Sequence, residues 1–220
     1  MSEKNSRDNI IRSLLDNSFF KSAGGTSLSD IASSVKIKKS SIYSHFQNRE
    51  DLLEKTTISC DEYINRINFI PDNIDEVAAK YDAVSVLTGI IKRYFKMHEK
   101  APLFQIYTFI QSRKHFDPLC AEAEQKHRKT LIEQSITVLK SLSKNRKLPV
   151  TSDKIAAAAE FFVSGLLSEL DDFLIAKKRT VLAQNIAVPV EDELNFSPSD
   201  EADFKSPLRF AEGFVSLFLA

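Results

Sequence analysis

The stretch TSLSDIASSVKIKKSSIYSHFQNREDLL, residues 26–53, decides how this chain folds. Thr26 or Ser27 caps a second helix, and Ser27 and Asp30 have the spacing of a capping box, in which a hydroxyl at a helix start and a carboxylate three residues on each accept a backbone N–H. Leu28 and Ile31 then face inward, giving a short helix that ends near Ser34. Val35 to Lys38 make the turn. Ile42 and Phe46 mark the buried side of a third helix and leave Lys39, Ser40, Tyr43 and Ser44 outside. Asn48 is a good N-cap for a fourth helix, whose dipole Glu50 and Asp51 complement. Two short helices about a tight turn form a helix-turn-helix. The N-terminal half of the second can enter a DNA major groove about 12 Å wide. Lys39, Ser40, Ser41, Tyr43 and Ser44 are then the groove-facing set.

Outward from this stretch the chain reads as all-α. Upstream, Ile10, Ile11, Leu14, Leu15 and Phe19 recur at helical spacing, predicting a first helix over Arg7 to Phe20 that Gly24 and Gly25 stop. Downstream, Leu52, Leu53, Ile58, Ile64 and Ile67 carry the fourth helix toward Phe69, and Pro71 ends it. Later starts are marked by Asn73 with Glu76, by Pro102, by Asp117 with Pro118, by Thr151 or Ser152, and by Ser206 with Pro207. These predict helices ending near Lys114, Ser143 and Lys178 for the second, third and fourth of them. Thr180 to Lys205 shows no helical period and reads as a long loop. The expected division is a three-helix head, residues 1–48, and a helical body, residues 49–220.

The 30 basic and 30 acidic residues cancel, which argues against a uniformly basic nucleic-acid coat. The charge is uneven, however. Lys36, Lys38 and Lys39 cluster in the head, whereas Glu191, Asp192, Glu193, Asp200, Glu201 and Asp203 crowd a late segment. Local charge is what steers a phosphate backbone. Cys60 and Cys120 are the only cysteines, so a four-cysteine zinc site within one chain is excluded. No secretory apolar region is seen near Glu3 to Asp8, and no apolar run approaches the ~18 residues of a membrane span. A cytoplasmic protein without membrane contact is expected. The glycine fingerprints of phosphate and dinucleotide loops and the Gly-x-Ser-x-Gly elbow are absent, so neither an enzyme nor a cofactor is expected.

The head resembles that of the TetR family of bacterial transcriptional regulators. The resemblance rests on Ile11 and Phe19, on Thr26, Ser27, Leu28, Asp30, Ile31 and Ala32, and on Ile37, Ile42, Tyr43, His45, Phe46, Arg49, Glu50, Leu52 and Leu53. It implies a homodimer on operator DNA. Thr26, Tyr43, His45 and Arg49 would contact phosphates, with Ser27 beside them, and residues Lys38 to Ser44 would supply base contacts. It also implies a helical body with a pocket and a dimer face. The chain departs from the family pattern at Lys36, where a glycine is usual, and at Lys38, where a capping serine is usual. The loop holding Gly24 and Gly25 is about one residue short. Lysine is a poor N-cap, so the third helix is expected to start late or fray.

In the body, the helix from Ser152 and the last helix are apolar on more than one side, so both need covering. Phe162, Leu166 and Leu170 with Phe210, Phe214 and Leu217 are the candidate dimer face, two helices from each subunit. Phe95, Met97, Phe104, Tyr107, Phe109 and Ile110 are candidates to line a pocket for a hydrophobic or aromatic small molecule, although the same residues also suit an ordinary core. Cys120, Glu124 and His127 share one helical face near His115 and Asp117, but no second Glu-x-x-His follows and no metal site is assigned. The expected function is a ligand-responsive transcriptional regulator, of the repressing kind, on a pseudo-palindromic operator. The rival readings are a helical metal protein or enzyme with a relic head, and a DNA-binding regulator without a small-molecule ligand.

Overall fold

The computed structural model of the chain describes residues 3–184 and 204–218. The described residues form ten helices and no strand: α1 Glu3–Gly25, α2 Leu28–Ser34, α3 Lys39–Ile42, α4 Arg49–Ile64, α5 Ile74–Lys80, α6 Ala83–His98, α7 Leu103–Arg113, α8 Pro118–Lys144, α9 Ile155–Gln184 and α10 Lys205–Ser216. The fold is all-α, with a helix-turn-helix at its N-terminal end. None of these helices is long and apolar enough to cross a membrane.

Two compact units divide the chain. The first holds residues 1–66 and 102–127; the second holds residues 67–101 and 128–220. In the first unit α1 packs on α2, α4 and α7, and α4 also packs on α7. Its core joins Ile10, Leu14, Ile31, Ile42, Phe46 and Leu52 to Ile106, Phe109 and Ile110 of α7. Phe104 meets Phe19 edge-on at 4.8 Å. In the second unit α6 packs on α5, α9 and α10. Phe95, Phe173 and Phe204 form an aromatic cluster there, with centroids 5.0–6.5 Å apart.

Several boundaries differ from expectation for local reasons. The backbone of α1 breaks at Ser22 (φ 66°, ψ 161°) ahead of the glycines, where Ser22 Oγ accepts the Gly25 N–H and the Ser22 carbonyl accepts from Thr26 Oγ1. The fourth helix stops at Ile64 rather than near Phe69, because Asn65 Nδ2 donates back to the Asp61 carbonyl at 2.7 Å. Gln134 pins the connection that follows, accepting from Phe69 N and donating to the Ile67 carbonyl. The helix opened near Asn73 ends at Lys80, and Asp82 caps a new one through Ser85 N at 2.9 Å. Finally, α9 continues to Gln184 and α10 starts at Lys205 behind Phe204, so both ends of the expected Thr180 to Lys205 loop are shorter than expected; residues 185–203 of it lie outside the described residues.

Candidate nucleic-acid interface

The capping box at α2 is formed in full. Ser27 Oγ accepts from Asp30 N at 3.1 Å, and Asp30 Oδ2 accepts from Ser27 N at 2.9 Å. Lys21 also pairs with Asp30 at 2.8 Å, and this bond, with those from Ser27, holds the Asp30 carboxyl well below the usual carboxylate range. At the other end of α2, Lys36 N donates to the Ser33 carbonyl and Ile37 N to the Ala32 carbonyl, the two bonds of a Schellman motif. That motif puts Lys36 at φ 56°, a left-handed position that glycine fills without a Cβ penalty. Lys36 therefore holds a conformation that a glycine would adopt without strain.

Lys38 occupies the N-cap of α3 and makes no side-chain capping bond. The helix is a single turn, Lys39–Ile42, after which the Ile42 carbonyl accepts from both His45 and Phe46. What holds the segment is burial. Ile42 and Phe46 are each 1% exposed, and the Arg7 guanidinium lies over the Phe46 ring at 5.5 Å. Beyond the turn, α4 starts as securely as α2: Asn48 Oδ1 accepts from Asp51 N, and Asp51 Oδ2 accepts from Gln47 N.

The structure sorts the candidate contact residues into three groups. Lys38, Lys39, Ser40 and Tyr43 are exposed, and Lys36 lies exposed beside them. Lys36, Lys38 and Lys39 form no ion pair with a described residue, so their charge faces outward unspent. Ser41 and Ser44 are tied to each other, Ser44 Oγ donating to the Ser41 carbonyl at 2.7 Å. His45 is half-buried and, with Ser44, lines a cleft of about 550 Å3 that Arg7, Asp8, Lys55 and Glu62 also line. No sequence signal linked Arg7 and Lys55 to this cleft, because they belong to different helices that only the fold brings together.

Three further candidates have structural duties of their own. Thr26 is 1% exposed and its Oγ1 donates to the Ser22 carbonyl at 2.8 Å, so its hydroxyl packs and caps rather than facing a phosphate. Ser27 Oγ is committed to Asp30 on both its donor and acceptor sides. Arg49 is half-buried, and one guanidinium nitrogen donates to the carbonyls of Ala23 and Thr26. It ties the end of α1 to the start of α4.

The body candidates are also redistributed. Phe104, Tyr107, Phe109 and Ile110 belong to the first unit, where Phe104, Phe109 and Ile110 are core residues; Phe95 and Met97 belong to the second, where Phe95 is fully buried. Phe162, Leu166, Leu170 and Phe214 are each at most 2% exposed within the single chain, so they cannot form an outer face. Phe210 is half-buried against Phe162, and Leu217 is 60% exposed. The outward apolar residues of α9 are their neighbours Phe161, Ile175 and Leu182. Among the described residues no three His, Cys, Asp or Glu side chains stand close enough to hold a metal ion. Cys120 is buried beside Thr57, and Glu124 accepts from Gln111 at 2.7 Å.

Residues 21–56 match the profile of the bacterial regulatory proteins of the TetR family, covering α2, α3 and the segments on either side. IcaR of Staphylococcus aureus, a negative transcriptional regulator of the biofilm operon icaADBC, is 33% identical over 95 residues, 42% of this chain and 51% of that protein. The Staphylococcus epidermidis IcaR is 30% identical over 121 residues, 55% of this chain and 60% of its own length. The chain thus matches somewhat over half the length of these relatives. Among solved structures, one assigned to the TetR family from Mesorhizobium loti superposes with a TM-score of 0.60 at 17% identity, covering 100% of this chain and 98% of the other. AibR, solved in complex with isovaleryl coenzyme A and operator DNA, superposes with a TM-score of 0.55 at 12% identity, covering 96% of this chain and 97% of the other. At these identities the likeness is one of fold. Residues 21–56 are thus similar to the TetR family of bacterial regulatory proteins, and the chain as a whole is similar in fold to these solved structures.

Proposed function

We propose that the chain is a transcriptional regulator of the repressing kind that binds a pseudo-palindromic operator as a homodimer and answers to a small molecule. The observation that carries this is the asymmetry of the α3 segment. Ile42 and Phe46 are sunk in the core while Lys38, Lys39, Ser40 and Tyr43 stand exposed, and the lysines have no ion-pair partner among the described residues. Lysine, serine and tyrosine give phosphate contacts and modest base discrimination, so several act together. Repression is the activity named for the IcaR relatives, and a ligand-and-operator pair is what AibR was solved with.

The functional boundary lies at Asn48, with the DNA-reading head before it and the responding body after it. Lys38, Lys39, Ser40 and Tyr43 carry the groove and phosphate contacts. Ser41, Ser44 and His45 flank them, while Thr26, Ser27 and Arg49 shape the head. For the dimer, the outer side of α9 with Leu217 is the better-supported face, since Phe161 and Leu217 are 56% and 60% exposed. The protein would act in the cytoplasm, where the operator is.

Selection of bound duplexes from a random DNA pool tests the reading. Enrichment of a palindrome with half-sites about one helical turn apart, 10–10.5 base pairs, is expected. Recovery of unenriched DNA, or of single half-sites only, contradicts it.

A further inference from the structure

The second unit contains an apolar groove that the DNA-binding reading does not use. It runs beside α5 and α6 and has a volume of about 420 Å3, within the range of small-molecule sites. Val86 and Ile90, each 4% exposed, and the half-buried Pro71 and Val77 give it an apolar lining. A Cβ placed on Gly89 would meet no atom within 4 Å, so the groove is open directly above this residue.

The polar lining narrows the choice of ligand. Ser85 is already engaged, its Oγ donating to Asp82 at 2.6 Å, and the Tyr81 ring is covered by Lys80 at 5.2 Å. Arg93 is exposed, is the one charged residue of the lining, and makes no ion pair or hydrogen bond with a described residue. Gly89 and Arg93 are one turn apart on α6, and the stripe from Ser85 to Arg93 extends about 12 Å. An apolar strip that ends at a lone guanidinium matches an amphipathic anion. Burial of an apolar tail supplies affinity, and the planar guanidinium favours a carboxylate, which it can hold by two parallel bonds.

We propose that this groove binds a carboxylate with an unbranched apolar tail, of the medium-chain fatty acid class, the tail lying along Val86, Gly89 and Ile90 and the carboxylate meeting Arg93. This binding does not depend on operator recognition and is tested without DNA. The full chain is titrated calorimetrically with octanoate, octanol and octylamine. Octanoate is expected to bind saturably, with octylamine weaker by about tenfold or more, the value of a charge-assisted hydrogen bond. Gly89→Leu, which fills the groove from an exposed position, should abolish octanoate binding while circular dichroism shows unchanged helix. Arg93→Gln should weaken octanoate by about tenfold and leave octanol unchanged. Octylamine binding as tightly as octanoate, unchanged octanoate affinity in Gly89→Leu, or no saturable octanoate binding would each overturn the proposal. If Gly89→Leu loses helix, the contrast between octanoate and octanol in Arg93→Gln decides alone.

Discussion

At the start of α2, Ser27 and Asp30 exchange two hydrogen bonds of 2.9 and 3.1 Å; at the start of α3, Lys38 offers no side-chain bond. The first helix of the motif is set by its own local chemistry, the second by what lies beneath it. A good N-cap is worth about 1 kcal/mol. Burying an isoleucine or phenylalanine is worth about 1.5–3 kcal/mol each. With both Ile42 and Phe46 sunk in the core, the missing cap at α3 is outweighed, and the position of the segment proposed to read DNA is a property of the core. The consequence for function is a one-turn element whose outward side chains contribute little to holding it in place.

The sharpest way to break this contrast is Phe46→Ala. Loss of a buried ring should cost about 3–5 kcal/mol in chemical denaturation and remove DNA binding with it. A cost below that of losing a cap would mean that α3 is held some other way. Next in size, Arg49→Ala strips a charged donor from the carbonyls of Ala23 and Thr26 and should cost about 1.5–3 kcal/mol. Tyr43→Ala, at a side chain 51% exposed, should leave stability within about 0.5 kcal/mol while weakening binding on all sequences alike. Equal stability losses in these two variants would erase the distinction between shaping and contacting residues.

Smaller effects separate the two helix starts themselves. Ser27→Ala should destabilise by about 1 kcal/mol. Lys36→Gly should stabilise, by up to about 1 kcal/mol, since relief of the left-handed lysine outweighs the entropy of a freer chain. Lys38→Ser should stabilise by a similar or smaller amount by supplying the absent cap. Acid reads the same asymmetry. The Asp30 carboxyl is depressed in the folded state, so its contribution is complete above the ordinary carboxylate range and is lost as pH falls below it. Lys21→Ala, which removes the strongest partner of Asp30, should flatten that loss; Ser27→Ala, which keeps the backbone N–H bond, should reduce it only in part, and Lys38→Ser should leave it unchanged.

The features legible in the sequence were those written in a few adjacent residues. The Ser27 and Asp30 box, the Asn48 cap and the inward Ile42 and Phe46 all depend on spacing within one or two turns, while the anomalies at Lys36 and Lys38 were visible only against the family pattern the head resembles. What was not legible depends on partners distant in the chain. Nothing local says that Phe104, Phe109 and Ile110 would join the first unit's core, or that the Arg49 guanidinium would turn back to Ala23 and Thr26. On α9, apolar residues occur on nearly every side, so periodicity did not distinguish the buried Phe162 from the exposed Phe161. The early end of α4 at Asn65 and the restart at Asp82 were written locally, but they were masked by apolar residues that continued the pattern.

The central claim is that two heads of this chain grip two successive major grooves through their α3 segments. The most direct test is affinity for the selected palindrome compared with the same duplex lengthened by about half a helical turn, 5 base pairs, between its half-sites. The account predicts that the insertion turns one half-site away from its head and abolishes specific binding, leaving only the salt-sensitive background. Unchanged specific affinity for the lengthened duplex would contradict it.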